Sequence, residues 1–237
     1  MLTSGIAVLS LGIPIVTIAL WLLNGVARGL EIPVGLGALR DSLILGISAA
    51  VLAVGVALPL ARLVVHFPGP FAAATERLLY GVYAIPGISL ALAAVFFTLN
   101  VIPSFYQTLI VLVVAVALRY VVQSVGALRG PMLQVSPRTT EAARSLGEGS
   151  LGVLRTITLP LLRPGIVAGA ALVFLSALKE LPLTLLLAPT GFGTLATELW
   201  DAAREAFYAQ AAVPASLLLL VSFASIGLLI RRGDVKA

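Results

Sequence analysis

The chain has 237 residues, of which 60% are hydrophobic and 11% charged, with a mean hydropathy of +1.11. That is too little polar side chain to cover a soluble domain of this length, so the chain reads as a set of membrane spans. Cysteine is absent and His66 is the single histidine, which excludes disulfides, thiolate metal sites and cysteine nucleophiles and leaves no zinc-binding set. The net charge of +5 is read through its distribution, not as a nucleic-acid footprint, and no nucleic-acid partner is expected.

Six apolar runs are long enough to cross a bilayer. They lie near Gly5–Asn24, Ser42–Ala61, Leu78–Asn100, Ser104–Leu128, Pro164–Ala188 and Phe207–Ile230. No basic residue precedes the first run and no small-x-small site follows it, so it is read as a retained helix. In the third run, Pro86-Gly87 predicts a kink or local loosening beside a possible pathway. In the fourth, Arg119 and Gln123 stand one turn apart toward the inner end, where snorkelling to the interface is the simplest fate for the arginine and a gate role is the alternative. The fifth carries Lys179 and Glu180, with Pro182 breaking the helix nearby. His66 needs no special role. No internal repeat is visible, and the whole chain, 1–237, is read as one all-α transmembrane domain.

Basic residues set the expected orientation. With a cytoplasmic N-terminus, eleven of the fifteen Lys and Arg fall inside, three (Arg28, Arg40, Arg204) fall outside, and Lys179 lies within a span. Both termini and the long polar segment at about 129–163 are then cytoplasmic. In that segment Ser136-Pro137 reads as a helix start and Gly147 as a helix stop. Ser150 caps a second short helix containing Leu151, Leu154 and Ile157, which Pro160 and Pro164 bound at its far end. An amphipathic hairpin on lipid headgroups is the plainer reading of such a segment.

The spacing Glu141-Ala142-Ala143, then Gly147, Ile157 and Leu159-Pro160 is more specific. It resembles the EAA loop of the permease subunits of binding-protein-dependent ABC importers. The resemblance implies about six transmembrane helices in a type I importer architecture. It also implies a coupling helix, through Glu141, Ala142, Ala143, Leu146, Gly147, Ile157, Leu159 and Pro160, that docks on a cytosolic ATPase subunit. A second permease subunit, an external substrate-binding protein and the lipid of a bacterial-type inner membrane complete the expected partners. The chain itself has no nucleotide loop: Lys179 is followed by glutamate and Lys236 by alanine, so neither fits a Walker A pattern. It is therefore expected to be non-catalytic and to hold no cofactor or metal, with ATP and magnesium on the partner ATPase.

Three further stretches, Tyr83–Ile88, Val122–Arg138 and Ala177–Ala215, resemble the ferric-iron branch of these permeases. Many members of that branch have two homologous halves, and this chain resembles the second half alone. A second copy or a homologous subunit is then needed to enclose a pathway. Thiamine, polyamine and oxyanion permeases share the architecture. Glu180, Lys179, Pro182 and Pro86 are the candidate pathway residues, since an intramembrane charge costs about 2.5–3.5 kcal/mol on insertion scales. Two readings of Glu180 stay open: a carboxylate on the path that attracts a hard cation, or a structural charge paired to neighbouring helices. Glu198, Asp201 and Glu205 recur at helical spacing and form either a binding-protein contact or simply the solvated face of an amphipathic helix. Composition alone also permits an ATPase-independent carrier or channel, or a non-transporting scaffold; the EAA spacing separates the permease reading from both.

Overall fold

The computed structural model describes residues 2–29, 35–136, 141, 145 and 147–233. Among these residues the regular elements are all helical: α1 (Leu2–Ala27), α2 (Leu36–His66), α3 (Pro70–Ala84), α4 (Gly87–Val101), α5 (Leu109–Gln134), α6 (Ser150–Val153), α7 (Leu159–Leu178), α8 (Pro182–Leu187), α9 (Leu195–Arg204) and α10 (Tyr208–Gly233). Helices α1, α2, α5, the α6–α7 run and α10 are each long and apolar enough to cross a membrane, and the bent pair α3–α4 supplies a sixth crossing if counted as one.

Three of the expected spans are corrected. The run Leu78–Asn100 begins earlier, at Pro70, and breaks at the expected Pro86-Gly87 kink, where α3 and α4 meet at 105°. Ile85 precedes a proline, which disfavours the helical region, and it adopts φ −64°, ψ 132°. Pro86 follows at ψ 136°, and α4 restarts at Gly87. The run Pro164–Ala188 starts earlier and stops sooner. Pro160 and Pro164 do not end a short helix; they sit inside a continuous one. A π-helical turn, Leu154–Thr158, joins α6 to α7, with the Leu159 N–H bonding the Leu154 carbonyl. The widened turn accommodates a proline at 160, which has no N–H to offer. Helix α7 then ends at Leu178, because the Pro182 ring conflicts with the carbonyl four residues back. The run Ser104–Leu128 is shifted: Pro103–Phe105 forms a 3-10 turn, and α5 starts at Leu109 behind a Thr108 cap.

Helices α2, α5 and α7 each pack on the other two and form the centre. Lipid tails are as apolar as leucine, so association here depends on close van der Waals fit. Ala49, Ala53, Ala57 and Ala61 recur every fourth residue on α2 and are each at most 1% exposed. They form a flat ridge that lets the backbones approach. On α7, a Cβ at Gly165 would stand 2.9 Å from the Ala127 carbonyl oxygen and one at Gly169 3.0 Å from the Ser124 Cα, so that close crossing favours glycine. Helix α1 packs chiefly along α10, where Trp21 and Tyr208 stack at 4.9 Å. Helix α3 is tied to α5 by an Arg129–Glu76 ion pair at 2.8 Å. The His66 ring nitrogen Nε2 meets the Val135 carbonyl at 3.1 Å, clasping the ends of α2 and α5.

Candidate functional site

The two helix breaks meet midway along the bundle. Arg119 is the eleventh residue of α5, about 15 Å from that helix's start at 1.5 Å per residue. Glu180 lies in the break between α7 and α8 and is 3% exposed. The Tyr120 hydroxyl donates to Glu180 Oε2, and the Leu183 N–H donates to Oε1 at 3.2 Å. Arg119 Nε lies 3.5 Å from Oε2, within ion-pair range but without hydrogen-bond alignment. The carboxylate thus covers an N–H of the first turn of α8, where the backbone has no helical acceptor. A second chain of bonds runs beside it. Ser176 Oγ donates to Gln123 Oε1 at 3.0 Å, and Gln123 Nε2 donates to the Tyr83 hydroxyl at 3.3 Å. Tyr83 and Tyr120 make an edge-on ring pair at 6.2 Å. Pro86 is exposed, while Gly87 lies against both the Pro182 ring and the Arg119 guanidinium. Lys179 is exposed.

Of the two readings of Glu180, this geometry favours the paired one: both its oxygens are engaged by neighbouring elements. Arg119 does not snorkel; its side chain is 14% exposed and turned to Glu180. The Arg119–Tyr120–Glu180 cluster escaped sequence reasoning because the boundaries of the fourth span were set five to six residues early. The usable signal was that Arg119 and Glu180 are unlike charges in two different apolar runs, and such charges seek each other.

A second acidic joint closes one end of the bundle. Asp41 on α2 is 4% exposed. Its Oδ1 takes Arg40 Nε and Nη2, both at 2.9 Å, and its Oδ2 takes the Gly193 N–H at 3.3 Å. Ser42 Oγ takes the Leu195 N–H at 2.8 Å. Thr194 and Thr197 form a reciprocal capping box that starts α9. Sequence reasoning missed Asp41 and Ser42 because their partners lie some 150 residues away. Glu198, Asp201 and Glu205 are all exposed, Glu198 beside Asp41. Partial burial first, and the Asp41 charge second, raise the Glu198 carboxyl above its ordinary range.

At the opposite end lies the polar segment. Glu141 is helical and exposed, and Ser145 Oγ donates back to its carbonyl at 3.1 Å. Gly147 has φ +91°, the left-handed conformation that favours glycine and ends a helix. Ile157 and Leu159 are half-buried and Pro160 is exposed. Ala142, Ala143 and Leu146 lie outside the described residues, as do Pro137 and Arg138. No group of three or more metal-ligating side chains occurs among the described residues.

Comparison with known proteins extends this picture. The chain is 34% identical over 221 residues to the Fe(3+)-transport system permease protein FbpB 2 of Haemophilus influenzae. That match covers 92% of this chain and 44% of the relative. It is 42% identical over 81 residues, 33% of its length and 29% of the relative's, to a probable molybdenum ABC transporter permease protein of Haloferax volcanii. The chain therefore spans less than half the length of FbpB 2. Among solved structures it resembles the inward-facing MetNI methionine ABC transporter, with a TM-score of 0.62 at 17% identity over 84% of this chain and 94% of that one. It also resembles an amino acid ABC transporter solved with histidines, at 0.59 and 19% over 88% and 95%. These likenesses give the fold, that of a type I ABC importer permease. The inner membrane component family of binding-protein-dependent transport systems matches residues 43–233, from the first half of α2 to the end of α10, and this chain belongs to that family.

Proposed function

We propose that the chain is the permease subunit of an ABC importer that moves iron(III) delivered by an external binding protein, driven by ATP hydrolysis on a separate subunit. The observation that carries the cargo is the 34% identity to an iron(III) permease across 92% of this chain. The match to a molybdenum permease over 81 residues favours a second reading, an oxyanion cargo. The family's dependence on a binding protein supports the external partner.

In this reading the segment around 129–163 faces the cytoplasm, as the excess of Lys and Arg there favours, and residues 2 and 233 lie on the same side. Both termini are cytoplasmic in a multi-pass inner membrane protein. Glu141, Ala142, Ala143, Leu146, Gly147, Ile157, Leu159 and Pro160 form the surface that docks on the ATPase. The helical run from Ser150 to Leu178, unbroken through the π turn, supports this role. It is a lever about 40 Å long that joins the docking segment to the Glu180 break. Glu180, Lys179, Pro182 and Pro86 belong to the pathway region in this reading, and Glu198, Asp201 and Glu205 face the binding protein. ATP and magnesium stay on the ATPase, a second copy or homologous subunit completes the pathway, and this chain performs no covalent step.

The test is reconstitution of the chain with its partner subunits and binding protein in proteoliposomes, offered labelled iron(III) or molybdate. ATP-dependent iron accumulation is expected. Molybdate uptake without iron uptake overturns the iron reading, and gradient-driven uptake without ATPase overturns the ABC reading. Gly147→Val forces a β-branched residue into a left-handed conformation, at a cost of about 1–2 kcal/mol confined to the loop. It should lower ATP-driven uptake by roughly tenfold or more while membrane insertion and melting of the bundle change little. Unchanged uptake in that variant counts against a docking role for the loop.

A further inference from the structure

Arg119 and Glu180 oppose each other, yet only one of them is satisfied. Both oxygens of Glu180 accept hydrogen bonds, from Tyr120 and from the Leu183 N–H. Arg119 Nε and Nη1 are buried and have no hydrogen-bond partner. A guanidinium carries five donors, and each desolvated donor left unpaired is costly. The neighbouring acceptors each already hold another donor. Gln123 Oε1 takes Ser176, and the Tyr83 hydroxyl takes Gln123.

The guanidinium lies in the notch where two helices begin. A Cβ at Gly87, the first residue of α4, would stand 3.2 and 3.3 Å from Nη1 and Nη2, and 3.1 Å from the Pro182 ring at the start of α8. Tyr83, Ile85 and Ile88 around the α3–α4 break are all exposed, so the notch opens to the surface of the chain at that level. Glu180 balances the charge, so the selectivity lies in the donors: N–H groups fixed beside an opening favour oxygen acceptors bearing negative charge, while a bare cation meets a carboxylate already bonded to Tyr120 and Leu183.

We propose that Arg119 recognises the transported species midway through the membrane, and that this species presents anionic oxygens there. It is either an oxyanion or a metal ion still held in anionic oxygen ligands; a bare trivalent cation does not pass this point. The proposal rests on the importer reading above and sets the charge that its cargo presents. Arg119, not Glu180, is then the specificity-determining residue of the pair.

The test uses the complete membrane assembly, this chain with its second permease subunit and ATPase, in lipid nanodiscs. Melting is followed with sodium molybdate, with iron(III) citrate, and with sodium chloride at matched ionic strength. At least one of the first two should raise Tm by roughly 3 °C over chloride. Arg119→Gln should abolish the shift and Arg119→Lys should keep part of it, because lysine keeps the charge but loses the planar fork. If Arg119→Gln does not assemble, the double variant Arg119→Gln with Glu180→Gln removes both charges together and serves in its place. No shift with either probe overturns the proposal, and so does a shift that survives loss of Arg119. Paired uptake assays separate this from the cargo assignment. Iron accumulation with no Tm shift sinks the Arg119 proposal alone. Molybdate accumulation with a molybdate-only shift sinks the iron reading and leaves Arg119 standing.

Discussion

Asp41 and Glu180 are the same device in two settings. Each is a carboxylate at most 4% exposed that accepts a backbone N–H near a helix start, Gly193 ahead of α9 and Leu183 in α8. Each also faces an arginine. The arginines differ: the Arg40 side chain is 73% exposed and Arg119 only 14%. Arg40 keeps its water and can lose its partner cheaply. Arg119 has given up its water and depends on Glu180 for charge compensation. Identical chemistry therefore makes a joint at one end of the bundle and a charge-dependent centre midway along it.

The largest expected effect follows from that contrast. Glu180→Gln keeps shape and a hydrogen-bond acceptor but strands the Arg119 charge. Removing one partner of a buried pair costs about 3–5 kcal/mol, so the variant should melt far below wild type or fail to accumulate. Adding Arg119→Gln should recover most of the loss, since a neutral pair needs no compensation. A fluorescence melting series on the purified assembly reads both. A single variant as stable as wild type breaks the distinction between the two carboxylates.

Asp41→Asn makes the matching change at the other end. Asparagine still accepts from the Gly193 N–H, and Arg40 turns to solvent. The expected loss is about 1 kcal/mol, that of weakening a charged hydrogen bond to a neutral one. Adding Arg40→Gln should recover almost nothing. A loss equal to that of Glu180→Gln in the same assay would mean that exposure of the arginine is irrelevant.

Much of this architecture was legible in the chain itself. Hydropathy located the spans because a bilayer demands long apolar helices. The residues around Gly147 read as a helix stop because only a few residue types tolerate a left-handed backbone, and Gly147 does adopt it. What escaped was register and pairing. Pro86-Gly87 marked the place where the third span bends, but hydropathy alone gives neither the break nor its 105° angle. Pro160 reads as a terminator by its missing N–H, yet a π turn absorbed that defect. The Arg119–Glu180 pair joins residues about 60 positions apart, and the Asp41–Gly193 bond joins residues 152 apart. No local pattern encodes either; both arise from which helices pack together.

The smallest effect lies at Glu198, and its sign is the useful part. Its carboxyl is raised by partial burial and by Asp41, so the folded chain binds that proton more tightly than the unfolded chain does. The stability it contributes is complete below the unfolded carboxyl range and is lost as pH rises through the raised folded value. At neutral pH the charged Glu198 therefore opposes the joint, and Glu198→Gln should stabilise it. Glu198 is exposed, so solvent and salt screen the repulsion and the gain should stay within about 0.5 kcal/mol. The advantage of Glu198→Gln should fade on acidification and should shrink without vanishing in an Asp41→Asn background, where burial, the larger cause, still disfavours the charge. A gain that is unchanged in that background would remove Asp41 as a cause and leave the joint's acidity to desolvation.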